Sequence, residues 1–280
     1  MAKRGLTLLL VAYLLNFARG GLPLYLASLF VGAEAVQPYM AWGMLVGDIL
    51  QFAGLAFLFL AIVKKLGMSL WQMLWMSIIL AIIGEMCAGY TTGNINIDAV
   101  LGILIPAGAP DGLSCVSAFP FTKWIIFPVV GIIFGKALRH CENSDKLYGI
   151  VLAVTLPLSI VYTYCSLTYG FMPFSDGHYY WTTLYDAFFF IAFDLLIISS
   201  LHFLGKVIPE IVLGPLQKLS KNINTVYCIS WVVIVWTSIP VLWFTHMKGV
   251  HPFVAYAVGL VITAISYYLA LAWKRFKERN

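Results

Sequence analysis

Apolar residues run through this chain in blocks of roughly twenty, the length an α-helix needs to cross about 30 Å of hydrocarbon, and the charges are pushed into the gaps between the blocks. Only 10% of the 280 residues are charged and 61% are hydrophobic, with a mean hydropathy of +0.91. A soluble chain carries about a quarter charged residues. The pattern excludes a soluble globular fold. Function must therefore be sought in the few polar residues left inside the blocks.

The blocks are Gly5–Phe30, Ala41–Val63, Ser69–Ala88, Pro120–Leu138, Tyr148–Phe171, Thr183–Leu204, Asn224–Phe244 and Pro252–Trp273. Their apolar runs are continuous and do not alternate with polar residues, which favours helices over a barrel. They predict an all-α, polytopic bundle of about eight transmembrane helices, forming a single domain over residues 1–280.

Basic residues orient the bundle. Of the 17 Lys and Arg residues, all but Arg19, Lys123 and Lys248 lie at the N-terminus or in every second gap. These are Lys3 and Arg4; Lys64 and Lys65; Lys136, Arg139 and Lys146; Lys206, Lys218 and Lys221; and Lys274, Arg275, Lys277 and Arg279. Positive charge gathers on cytoplasmic loops, so both termini are expected inside, in the cell membrane. The net charge of +5 is thus a topology signal, and nucleic acid is not an expected partner, whereas membrane lipid is. Lys3 and Arg4 followed by Gly5–Leu15 imitate a signal peptide, but Asn16 and Arg19 interrupt the run and Ala33-Glu34-Ala35 lies too far downstream for cleavage. The segment is expected to stay as a first span.

Two stretches between blocks are unusual. Gly89–Phe119, expected outside, holds only Asp98 and Asp111 as charges, and its apolar core Ala99–Pro106 is too short to span. It reads as a re-entrant or surface-lying lid. Gly205–Lys221 mixes Ile208, Ile211, Val212 and Leu216 with lysines, as an interfacial amphipathic segment does. The five cysteines (Cys87, Cys115, Cys141, Cys165 and Cys228) have no CxxC spacing. They read as scattered small hydrophobes, although Cys87, Cys115 and Cys165 share the outer side and leave one disulfide open; no metal site is indicated.

Ionisable groups inside spans cost about 2.5 kcal/mol or more on insertion scales and usually face a cavity or a partner. Arg19 sits halfway along the first block, three residues after Asn16 and on the same helix face. The Gly20-Gly21-Leu22-Pro23 that follows has the composition of a broken helix. Asp48 lies inside the second block, roughly 10 Å below its outer end by helical rise. Glu85, Lys123 and Asp186 fall near outer ends of their blocks, and Asp194 stands apart near the midplane. Asn16, Arg19, Asp48, Glu85, Lys123 and Asp186 are the candidate cavity and substrate-binding residues. Each also has a plainer reading as an ion-paired or helix-end group that fixes packing, and this applies most to the three near the surface.

Among the histidines, His140 and His202 are expected near the cytoplasm and His178, His246 and His251 outside. Aromatic and histidine residues at that depth commonly form an interfacial belt. His178, within Ser175-Asp176-Gly177-His178-Tyr179-Tyr180-Trp181, is the candidate for acid–base work, since an aqueous imidazole titrates in the right range. No nucleophile elbow, Walker loop, HExxH or CxxC occurs.

Four stretches carry a resemblance: Arg4–Asn16, Gly47–Leu55, Phe119–Gly135, and Leu219-Ser-Lys-Asn-Ile-Asn-Thr-Val-Tyr-Cys-Ile-Ser-Trp231, which opens a late span. Together they resemble the membrane acyltransferases related to heparan-α-glucosaminide N-acetyltransferase and to bacterial sugar O-acyltransferases. The resemblance implies an integral membrane enzyme that moves an acyl group, in the first instance acetyl, from cytoplasmic acyl-CoA to a hydroxyl or amine of a saccharide or other envelope acceptor. Acyl-CoA is then a donor substrate, and no tightly bound cofactor is implied. Lys136, Arg139, Lys218 and Lys221 are the basic groups placed to hold CoA phosphates, or are ordinary positive-inside residues. Members of the family begin with further spans that bear an Arg and a catalytic His, and Lys123 occupies a position more often uncharged. The chain alone is therefore expected to be a shortened or inactive form. The competing classes are a small-molecule transporter or flippase, to which a polar cavity and a Gly/Pro-interrupted first helix are equally suited, and a non-catalytic membrane partner.

Overall fold

The computed structural model describes residues 1–108, 117–169, 183–245 and 251–279. Its elements are α1 (Ala2–Asn16), a π-helical turn (Phe17–Gly21), α2 (Leu22–Val31), α3 (Ala33–Leu45), α4 (Ile49–Lys65), α5 (Leu70–Met86), α6 (Ile95–Gly102) and α7 (Phe121–Trp124). They continue as α8 (Ile126–His140), α9 (Ser144–Tyr169), α10 (Leu184–Leu204), α11 (Glu210–Lys221), α12 (Ile223–Thr245) and α13 (Pro252–Arg279). Among the described residues no strand forms; Gly47 and Ser117 make an isolated parallel bridge.

Five helical segments among the described residues are long and apolar enough to cross a membrane: Ala2–Phe30, Phe121–His140, Ser144–Tyr169, Leu184–Leu204 and Pro252–Arg279. The chain is an all-helical membrane protein. Its helices gather into two compact units, Met1–Leu14 with Gln37–Lys206, and Leu15–Val36 with Val207–Asn280.

In the first unit, α9 packs along α10, and α5 packs on α7 and α8. Side-chain caps set the helix starts. Ser69 Oγ accepts from Gln72 N–H at 3.3 Å while Gln72 Oε1 accepts from Ser69 N–H at 2.8 Å, and Thr183 and Asp186 make the same reciprocal box at α10. Each box satisfies donors that a helix end leaves orphaned. Val63, Met73 and Val129 form a buried knot, with Phe59, Leu60, Leu74, Ile132 and Ile133 packed around it.

The second block is not one helix. Backbone 46–48 leaves the helical path between α3 and α4, because the Asp48 carboxylate accepts from Ile49 N–H at 2.7 Å and Gln51 Oε1 accepts from Asp48 N–H at 3.1 Å. Asp48 is thus a helix N-cap and not a charge hung midway along a continuous span. The carbonyl of Gly47, released from the helix, accepts Ala118 N–H at 3.0 Å and Ser117 Oγ–H at 3.2 Å. A Cβ on Gly47 would stand 2.5 Å from that hydroxyl.

Gly89–Phe119 folds back on itself over its described part. Gly89 N–H donates to Pro106 C=O and Gly108 N–H to Tyr90 C=O. α6 lies between these rungs with Asp98, Ala99 and Gly102 buried. The end of α6 and the turn after it then meet α7: Ile103 and Leu104 carbonyls accept from Phe121 and Thr122 N–H, both at 2.9 Å. Backbone carbonyls, not side chains, cap α7.

In the second unit the first block is also corrected. Gly20-Gly21-Leu22-Pro23 does not break the helix but loosens it into a π turn, with Leu22 N–H bonded to Phe17 C=O. In that register residue 23 would donate to Ala18, and Pro23 has no N–H. The indole N–H of Trp236 donates to the Ala18 carbonyl instead, at 3.0 Å. α12 packs along α13 and on the π turn. α11 is amphipathic with none of its residues buried, as expected for an interfacial segment.

Candidate functional site

Three of the polar residues singled out by depth come together in the first unit. Glu85 lies in the last turn of α5, Lys123 in α7, and Asp186 in the first turn of α10. Lys123 Nζ stands 3.5 Å from Glu85 Oε2, and the same oxygen accepts Leu184 N–H at 2.9 Å. Asp186 adds a second negative charge acting on the Lys123 ammonium.

The fold forces this arrangement. Gly84 lets α7 approach α5 so closely that a Cβ there would sit 2.5 Å from Thr122 Oγ1; such contacts are how helices associate where lipid supplies no hydrophobic drive. Lys123, the next residue, is left only 3% exposed, so its charge needs a partner. Asp186 is fixed from two sides, with Oδ2 accepting Thr183 N–H and Oγ1–H, both at 2.9 Å, and Oδ1 accepting Tyr162 Oη–H from α9 at 2.6 Å. Tyr162 stacks on Phe189 at 3.7 Å between centroids and leans on Tyr185. Asp186 is therefore a held charge, while the Glu85 side chain is 44% exposed and no hydrogen bond among the described residues reaches its Oε1. Tyr162 was not legible as a site residue, because an aromatic in an apolar block carries no signal of its own.

Beside this cluster in sequence, the Asp98 carboxylate accepts Thr91 Oγ1–H at 2.5 Å and both Thr92 N–H and Thr92 Oγ1–H at 2.8 Å. Burial works to raise its pKa, but the hydrogen bonds from Thr91, Thr92 and Gly93 outweigh it and hold the carboxyl below its ordinary value. Asp98 closes the loop and is a structural staple of the stretch that follows α5.

Arg19 and Asn16 meet as their spacing predicts, with Arg19 Nη2–H donating to Asn16 Oδ1 at 3.0 Å. The guanidinium also lies 4.7 Å from the centre of the Trp231 ring, a cation–π contact. Arg19 and Asn16 belong to the second unit and Asp48, Glu85, Lys123 and Asp186 to the first. His178, His246, Lys248 and Cys115 lie outside the described residues. Cys87, Cys141, Cys165 and Cys228 are free thiols.

At the other end of α10, Asp145 accepts from His202 Nε2 at 2.8 Å and from Lys206 Nζ at 2.5 Å, and Tyr148 stacks on the His202 ring at 4.0 Å. His202 thus ties α10 to α9, while His140 is exposed and bonds the Lys136 carbonyl. Lys136, Arg139, Lys218 and Lys221 are exposed.

Searched against protein-family models, characterised proteins and solved structures, the chain matches none of them.

Proposed function

We propose that the chain is an acyltransferase-like protein of the cell membrane, with about eight spans and both termini in the cytoplasm, acting on a saccharide or other envelope acceptor with acyl-CoA, first acetyl-CoA, as donor. The observation that supports this reading is the Glu85–Lys123–Asp186 cluster, with Lys123 and Asp186 buried and Glu85 partly exposed, beside the Tyr162–Phe189 aromatic stack. Carboxylates that accept hydroxyl hydrogens beside an aromatic face are the groups a sugar needs, and Glu85 has an oxygen to offer. Transfer further needs a base for the acceptor proton, donors for the oxyanion on the acyl carbon, and a proton for the departing CoA thiolate. In this reading the positive charge for the oxyanion is assigned to the Lys123 ammonium, and His178 is the candidate base.

A catalytically competent chain, purified into proteoliposomes and given acetyl-CoA and a panel of sugars, releases CoA thiol only when both protein and acceptor are present, whereas an inactive form gives background release. Glu85→Gln should raise KM for the acceptor, and His178→Ala should lower kcat by about 10²-fold or more. Thiol release independent of acceptor would sink the acyltransferase reading; none throughout the panel would mark the chain as acyltransferase-like but inactive. Topology is tested separately with single cysteines at Ser114 and Asn143. Labelling of Asn143, but not Ser114, by an impermeant reagent from outside would reverse the orientation.

A second reading, a transporter, is favoured by the π turn beside Arg19, since irregular backbone at membrane depth commonly lines a pathway. Substrate accumulation in vesicles without CoA would select it.

A further inference from the structure

Asp194 lies ten residues from either end of α10, the midpoint of a helix long and apolar enough to span. Its side chain is exposed, and so are Phe193, Ile197 and Ile198 around it. No hydrogen bond or ion pair reaches it among the described residues. The charged groups of the helices packed on α10 gather at the two ends. Glu85 of α5 and Lys123 of α7 stand by Asp186, while Asp145 of α9 bonds His202 and Lys206. Lys136, Arg139 and His140 of α8 and Lys146 of α9 are at their own helix ends. Asp186 and His202 are each eight residues from Asp194, about 12 Å along the axis. The polar residues that α9 buries along its middle are neutral, Thr155 and Ser159. Among the described residues of its own unit, nothing cationic is within reach to keep a carboxylate charged.

We infer that Asp194 is a proton-binding site that faces the hydrocarbon as a neutral carboxylic acid at neutral pH. An ionised carboxylate turned to lipid loses its hydration with nothing in return, whereas taking up one proton removes the charge altogether. Its ligand is the proton. The inference is independent of the acyltransferase reading and holds for a transporter equally.

A lipid-facing carboxylic acid has a specific chemistry. Its O–H adds across one C=N bond of a carbodiimide to give an O-acylisourea, which rearranges to a stable N-acylurea, so the protein gains the whole mass of the reagent and nothing leaves. A hydrophobic carbodiimide reaches the site through the bilayer. The full chain in phosphatidylcholine nanodiscs at pH 7 is treated with dicyclohexylcarbodiimide or with a water-soluble carbodiimide plus glycine methyl ester, then mapped by mass spectrometry. The expected result is adduct on the α10 peptide at Asp194 from the hydrophobic reagent, at least about tenfold above the water-soluble one. The adduct should be lost in Asp194→Asn, a neutral isostere that keeps the wild-type elution profile. Asp145, beside His202 and Lys206, should show the opposite preference and serves as internal control. Labelling of Asp194 by the water-soluble reagent alone would overturn the proposal by showing an aqueous carboxylate. Labelling by neither would overturn it by showing a covered one, and an unfolded Asp194→Asn protein would show that the charge itself is required.

Discussion

Glu85 Oε2 receives both the Lys123 ammonium, at 3.5 Å, and the backbone N–H of Leu184, at 2.9 Å. One carboxylate oxygen therefore joins the end of α5 to α7 and to the start of α10. The side chains on either side of it differ sharply, with Lys123 2% exposed and Glu85 44%, so the cation depends on the pair far more than the anion does.

That asymmetry predicts unequal effects. Glu85→Ala strands a buried ammonium with only the more distant Asp186 charge, and should cost about 3 kcal/mol, the lower end for broken buried pairs because Glu85 is partly solvated. Lys123→Met leaves a carboxylate that can still reach solvent and should cost less than half as much. Thermal unfolding of the purified protein measures both; equal losses would show that the pair is not what holds Lys123.

The α5–α7 approach is tight enough to test by size. Gly84→Ala places a methyl 2.5 Å from Thr122 Oγ1 and should destabilise by about 1–3 kcal/mol through overpacking. Thr122→Ala in the same chain should recover part of that loss, since contacting residues are non-additive. No recovery in the double variant would place the strain elsewhere.

Trp236→Phe keeps an aromatic ring and removes the N–H that satisfies Ala18 C=O. An unpaired carbonyl at membrane depth should cost about 1–3 kcal/mol. Pro23→Ala restores a backbone donor at residue 23, and in that background Trp236→Phe should be nearly silent. Equal effects in both backgrounds would separate the indole from the π turn.

The Asp98 staple carries a pH dependence whose sign follows from its lowered pKa. Its stabilisation is fully present above the ordinary carboxyl value and is lost as pH falls through the folded value, below about pH 4. Hydrogen exchange at Thr92 and Gly93 should accelerate in that window. Asp98→Asn should exchange fast already at neutral pH and show no further acid step; a persistent acid step would assign the titration to another group.

The all-helical membrane character, the amphipathic α11 and the Asn16–Arg19 pair were all legible in the sequence. Each depends on contacts within a few residues of chain or on the cost of polar groups in lipid, and those are properties of composition and period. Tertiary structure decided the rest. Asp48 looked like a buried charge inside one span because its block is continuously apolar, and only the Gly47 contacts with Ser117 and Ala118, some 70 residues distant, show why the helix stops there. Gly20-Gly21-Leu22-Pro23 looked like a break, and a distant indole supplies the donor that proline lacks. Glu85, Lys123, Asp186 and Tyr162 come from four helices, and no spacing relates them. Hydropathy sets which segments enter the membrane, because that is decided one segment at a time; which polar groups then meet is decided by helix packing, a pairwise matter that no single segment encodes.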